Sequence, residues 1–245
     1  MTTATGRELD HALVDLGWHE MLTDIPDIAV PLVFRLLGET GCHAPLVNDV
    51  IAHAAGMPLS GTVALPFTGG AWVVWERDDR PGTTVDAELP LHPTRAGAEI
   101  PLAAGRCALA WWLVGSSRAM LALARRHALD RIQFGRPISS FQAVRHRLAE
   151  TLVAIEGAEA TLGVADDELG ALLAKASAGQ AARTAARHCQ QVLGGVGFTA
   201  EHDLHRHLRR TLVLDGLLGS TTELTRAAGA HIRTAGHAPR LAQLH

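Results

Sequence analysis

Apolar and polar positions along the chain change rhythm twice, near residues 56 and 104, and the three stretches predict three kinds of structure. From Asp10 to Ala55 short apolar clusters are cut by Gly17, Pro26, Pro31, Gly38, Gly41 and Pro45. This predicts two or three short helices, around Pro31–Gly38 and Leu46–Ala55, with Asp27 and Ala44 near their starts. From Gly56 to Ala103 the runs Gly61–Leu65 and Ala71–Trp75 are β-prone, and Glu88–Leu91 offers a third short strand. Turn residues lie between them at Thr68–Gly70 and Asp78–Gly82. From Ala104 onward the chain reads as helix. Ala104–Arg131 is rich in Ala and Leu and lacks proline, Gly135–Pro137 breaks it, and further helices are expected over Ser140–Val164 and Leu169–Leu193. Gly194-Gly195 ends the third, and shorter helices follow over Glu201–Arg210 and Ser220–Thr234. Long helices with short connections predict an antiparallel bundle. The expected organisation is a mainly α chain with a small helical unit at 1–55, a reduced β unit at 56–103 and a helical bundle at 104–245.

Composition narrows the chemistry. With 47% hydrophobic and 19% charged residues among 245, the chain can bury a sizeable core. The net charge of −3 is spread along it without a basic block, which argues against nucleic acid or an anionic membrane as partner. Met1–Asp10 lacks the pattern of a cleaved leader, and the longest apolar run, near Leu109–Val114, is short for a bilayer span. Cys42, Cys107 and Cys189 stand far apart with no CxxC, as in a reduced, cytoplasmic protein. The sequence contains no tyrosine, so any mechanism that needs a phenol is excluded.

Few residues suggest a site when taken singly. Gly194-Gly-Val-Gly197 is a phosphate-loop signal or a helix terminator. Arg131 could balance the carboxy-terminal dipole of its own helix, and Phe134 could be core. His202 and His205 would share a helix face beside Glu201 and Asp203, but no tetrahedral ligand set with a known spacing is present, and no metal is expected. No GxSxG occurs.

Two segments together carry a resemblance. Arg131-Ile-Gln-Phe-Gly-Arg-Pro-Ile138, continued by Phe141–Ala149, and Gln191-Val-Leu-Gly-Gly-Val-Gly-Phe198, followed by Glu201–Arg206 and Leu208–Arg210, resemble the acyl-CoA dehydrogenase family in order and separation. A fainter likeness covers Leu13–Asn48. The resemblance implies the family's fold with a truncated amino-terminal helical domain, a shortened β-domain and an antiparallel carboxy-terminal bundle. It also implies FAD bound across a subunit boundary, with a carboxylate taking the α-proton of an acyl-CoA thioester while the flavin accepts the β-hydride. Carried onto this chain, Arg131 would pair with the FAD pyrophosphate, Gln133 would hydrogen-bond near it, and Phe134 would lie against the adenine. Gln191, Gly194 and Gly195 would form the other wall, glycine letting backbone come close.

The family's base is absent. Its usual position, nine residues after the arginine matching Arg209 and before a Gly-Ser pair, is Leu218, and the alternative position beside Arg106 is Gly105. No catalytic residue is therefore assigned. Asp215 and Glu223 are the acids near enough to be weighed as replacements, which would make the chain a homo-oligomeric flavoenzyme. A non-catalytic assembly scaffold is the third possibility. The leading expectation is a subunit of a heteromer, similar to the split α2β2 acyl-CoA dehydrogenases of actinobacterial steroid catabolism. In it a second acyl-CoA dehydrogenase subunit supplies the base, and an electron-transfer flavoprotein accepts the electrons.

Overall fold

A computed structural model describes residues 4–238. Four helices open the chain: α1 (Gly6–Asp15), α2 (Trp18–Asp24), α3 (Pro26–Thr40) and α4 (Val47–Ala54). Three short antiparallel strands follow in the order β1 (Ala64–Phe67), β2 (Ala71–Trp75) and β3 (Leu91–Pro93). Then come the long helices α5 (Ala103–Asp130), α6 (Gln142–Leu162) and α7 (Glu168–Leu193), and the shorter α8 (Leu204–Gly216) and α9 (Thr221–Ala235). Between α5 and α6 the break predicted at Gly135–Pro137 is a small hairpin, β4 (Ile132–Gln133) paired with β5 (Arg136–Pro137).

The amino-terminal stretch holds four helices where two or three were expected. α3 begins five residues before the predicted start because Pro26 occupies its first turn, where a missing N–H costs nothing, and Pro31 is accommodated inside the helix. The third strand begins at Leu91, where the predicted Glu88–Leu91 run ends. α8 runs on to Gly216 because Leu212, Val213 and Leu214 continue its periodicity past Arg210.

Successive helices of the bundle are antiparallel, which makes α5 and α7 parallel, with α6 returning between them. Met120, Ala124 and Ala128 of α5 accordingly pack against Ala185, Cys189 and Val192 of α7. Small side chains on both helices let their axes approach closely. α5 is long and apolar enough to cross a membrane by length and composition, which the short apolar run at Leu109–Val114 did not suggest. It packs here as a core helix, with 61% of its most apolar window buried in the protein.

One core joins the opening helices, the sheet and the bundle. Trp18 of α2, Phe34 of α3, Trp112 of α5 and Trp75 of β2 form a chain of aromatic contacts with ring centroids 6.3, 5.8 and 5.7 Å apart. α3 crosses α5 at two glycines. A Cβ on Gly115 would stand 2.9 Å from the Arg35 carbonyl carbon, and one on Gly38 would stand 2.5 Å from the Ser116 nitrogen. Gly115→Ala is expected to lower stability by about 1–3 kcal/mol through overpacking, more than the ~1 kcal/mol that alanine returns in helix propensity. The urea midpoint of the variant checks this; an unchanged or higher midpoint would mean that the crossing can open.

Candidate functional site

Because α5 and α7 run parallel, the segments that follow them come to the same end of the bundle. Arg131 caps α5, its N–H donating to the His127 carbonyl at 2.9 Å, and its side chain is exposed. The β4–β5 turn consists of Phe134 and Gly135, both left-handed at φ +52° and +76°. Such a two-residue turn matches the twist of its strands but asks of Phe134 a backbone that costs a non-glycine residue roughly 1–2 kcal/mol. The ring thus held out is 92% exposed and meets the Phe141 ring edge-on at 6.1 Å. The Arg136 guanidinium lies 4.5 Å above the Phe141 centroid. Gln133 is exposed, its amide donating to the neighbouring Ile132 carbonyl at 2.6 Å.

At the end of α7, Gln191 is exposed and Gly194 takes φ +63°, ψ −141°, a region open essentially to glycine. A Cβ on Gly194 or Gly195 would meet nothing within 4 Å, so this backbone faces open space. Phe198, 65% exposed, follows. His127 is held below the usual imidazole range by burial first and then by the charges of Arg131 and His202, which places all three in one electrostatic neighbourhood. His202 itself accepts a hydrogen bond from the Leu204 N–H at 3.1 Å, at the start of α8.

The six residues singled out from the sequence thus lie where α5 and α7 finish, at one end of the bundle, all at the surface or half-buried. Exposed rings, arginines without an ion-pair partner among the described residues (Arg131, Arg136) and approachable glycine backbone fit the adenine and pyrophosphate portion of a dinucleotide such as FAD. They form an open surface rather than an enclosed pocket.

The place where the resemblance puts a base is apolar from both sides. Leu218 is buried at φ +59°, and a Cβ on Gly105 would stand 2.9 Å from its Cδ1 and 2.7 Å from Ile51 Cγ1. The two alternative base positions, 113 residues apart, therefore face one another, and Leu218 and Ile51 fill the space between. The turn beneath is tightly held. Leu218 N–H donates to the Pro66 carbonyl at 2.8 Å, and Arg106 Nε donates to the Leu218 carbonyl at 3.3 Å while pairing with Glu168. Lys175 Nζ donates to the Asp215 carbonyl at 3.0 Å and the Gly219 carbonyl at 2.7 Å.

Both acids weighed as replacements are engaged in structure. Asp215 accepts from the Thr221 hydroxyl at 2.5 Å and the Thr221 N–H at 3.2 Å. Glu223 closes a capping box with Ser220 and also accepts from the Gly69 N–H at 2.9 Å. Hydrogen bonds from the Ser220 and Gly69 N–H groups push its carboxyl down to about 2, too weak a base to take an α-proton near neutrality.

Sequence reasoning missed the grip on the turn. Lys175 is the only lysine in the sequence, and it is fully buried, where burial pushes its ammonium down to about 7 against the raising effect of Asp215. Its isolation in the composition was the available signal. Also unforeseen was an ion network in which the buried Arg210 pairs with the buried Asp86 and the exposed Glu88, fastening α8 to the loop before β3.

Comparison with known proteins gives the family and the fold. The family described as acyl-CoA dehydrogenase, C-terminal domain, matches residues 97–232. The acyl-CoA dehydrogenase IpdE2 of Mycobacterium tuberculosis is 34% identical over 175 residues, covering 67% of this chain and 55% of the relative. The chain thus spans about half the length of that relative. Among solved structures, the ChsE4–ChsE5 complex from Mycobacterium tuberculosis matches 98% of this chain and 90% of its own with TM-score 0.72 at 20% identity. A variant of the Tcur3481–Tcur3483 steroid ACAD matches 95% and 90% with TM-score 0.73 at 18% identity.

Proposed function

The chain belongs to the acyl-CoA dehydrogenase family, and from that premise we propose that it is the base-lacking subunit of a heteromeric, flavin-dependent acyl-CoA dehydrogenase. The reading rests above all on Leu218. The position that would carry the base is filled by a buried leucine packed toward Gly105 and Ile51, while the bundle end keeps its exposed Arg131, Phe134 and Gly195 and the half-buried Gly194. A site stripped of its carboxylate and filled with aliphatic carbon has no means of removing a proton. An open half-site for a dinucleotide remains useful if another chain closes it.

In this proposal FAD, when bound, supplies the hydride acceptor for α,β-desaturation of an acyl-CoA thioester. Arg131 neutralises the pyrophosphate, Phe134 covers the adenine, and Gln133 and Gln191 offer amide hydrogen bonds beside it. Gly194 and Gly195 let the backbone approach from the α7 side. The partner, a second acyl-CoA dehydrogenase subunit in an α2β2 assembly, carries the glutamate. The protein works in the cytoplasm with an electron-transfer flavoprotein as acceptor. A bulky polycyclic thioester is the proposed substrate class, supported by the fold likeness to a steroid ACAD.

Flavin content and acyl-CoA oxidation, measured on this chain alone and after co-expression with an acyl-CoA dehydrogenase encoded beside it, test the proposal. Flavin absorbance near 450 nm and turnover are expected only in the mixed complex; full flavin and full turnover in the chain alone would reject it. In the complex, Arg131→Ala is expected to weaken flavin retention by about 10- to 100-fold, the worth of one charge-assisted contact of ~1.5–3 kcal/mol. Retention unchanged in that variant would place the pyrophosphate elsewhere.

A further inference from the structure

At the far end of the bundle from Arg131, a cavity of about 630 Å³ opens between α3, α4, the start of α5 and the turn joining α6 to α7. Cys107 and Arg131 are 24 residues apart on and just past α5, roughly 36 Å along the axis, so the cavity is separate from the half-site described above. Its floor is apolar: Leu22, Val30, Val50, Trp111 and Leu162, with Cys107 among them. Its rim carries Asp27, Asp166, Asp167 and Glu168, with His53 and no lysine or arginine. Asp167 is spent on capping α7 and Glu168 pairs with Arg106, but Asp27 and Asp166 are exposed and have no ion-pair partner among the described residues.

We propose that this cavity binds a hydrophobic monocation, an amine or quaternary ammonium whose apolar body lies on the floor and whose head faces the carboxylate rim. The volume falls within the range of small-molecule sites, about 300–1,000 Å³, and the mainly apolar lining with a few polar groups at one edge is their usual make-up. Charge selects the ligand. A carboxylate or a phosphate-bearing thioester entering here would meet four carboxylates, and the one arginine beside them, Arg106, is already paired with Glu168, whereas an ammonium head would be attracted by the unpaired acids. The Cys107 thiol, pushed up to about 11 mainly by burial and then by Glu168, is neutral and serves as apolar lining.

Octylammonium, octanol and octanoate share one tail and differ in head charge, so they separate the contributions of floor and rim. Binding to the purified protein is read by calorimetry. Octylammonium is expected to bind saturably. Octanol should bind about tenfold more weakly and octanoate more weakly still, the several rim carboxylates each contributing a few tenths to 1 kcal/mol at most. The preference should shrink as salt is raised. Ala104→Trp, which fills the mouth from an exposed position, should abolish binding, and Asp27→Asn with Asp166→Asn should bring octylammonium down to the level of octanol. Equal binding of all three probes, tighter binding of octanoate, or no saturable binding of octylammonium would overturn the proposal. So would octylammonium binding that survives Ala104→Trp.

Discussion

Replacing Arg210 with methionine is expected to destabilise the protein by about 3–5 kcal/mol, more than Gly115→Ala costs at the helix crossing. Arg210 is 1% exposed, pairs with the fully buried Asp86, and donates to the Glu88 carboxylate at 2.9 Å. Its other donors reach the Gly41 and Cys42 carbonyls, each at 3.1 Å, so one guanidinium joins α8, the turn after α3 and the loop before β3. The cost does not measure the worth of the pair, since bringing both charges out of water is itself expensive. It comes from what the substitution leaves behind: Asp86 Oδ1 already lacks a partner, and methionine would strand Oδ2 as well. Arg210→Met combined with Asp86→Leu should therefore recover much of the loss. Denaturant midpoints of the single and double variants decide the matter. A loss below ~1 kcal/mol in the single variant would mean that water reaches Asp86.

The second large effect is on acid stability. His43 and His207 are each pushed down to about 4, by burial first and then by the charge of Arg210. In the unfolded chain both would take a proton near pH 6.5. Between those values the unfolded state binds more protons than the folded one, so stability rises with pH across the window. It is fully present above pH 6.5 and is lost as pH falls toward 4, by about 3 kcal/mol per histidine. Glu223, held down at about 2 from its ordinary 4.5, loses its contribution between those two values, mostly below the histidine window, so the first stage of acid unfolding belongs to the histidines. Unfolding midpoints at pH 7.5, 6 and 5 should fall in step. Equal midpoints at the three values would remove the explanation. Because Arg210 is a shared cause, Arg210→Met should also flatten this pH dependence, which ties the two predictions together.

The long helices were legible because their evidence is local. α5 and α7 are proline-free runs of small and aliphatic residues, and Gly194 stops α7 where the turn residues indicate. The amino-terminal helices were under-read because Pro26 and Pro31 look like breaks in a string of letters, whereas one opens α3 and the other is tolerated within it. The Ile132–Pro137 hairpin was hidden because its turn places a phenylalanine, not a glycine or asparagine, in a left-handed position. The residues named at the bundle end are placed by local sequence, since each group follows its own helix. What joins them is the parallel course of α5 and α7, which follows from two short connections.

The grip on the turn at residue 218 was illegible for the opposite reason. Arg106 reaches Leu218 across 112 positions and Lys175 reaches Gly219 across 44, and neither spacing leaves a periodic trace. The same holds for Asp86 and Arg210, 124 positions apart. Such pairs become visible only when packing has brought the elements together.

Burying the one lysine of the sequence has a consequence for protein chemistry. Reagents that acylate amines find no side chain to attack while the bundle is closed, and surface coupling or cross-linking through lysine is denied to the native protein. Lys175 becomes reactive only when α7 parts from the turn after α8. A single acylation there, counted by mass, would report each opening of that interface without any engineered label.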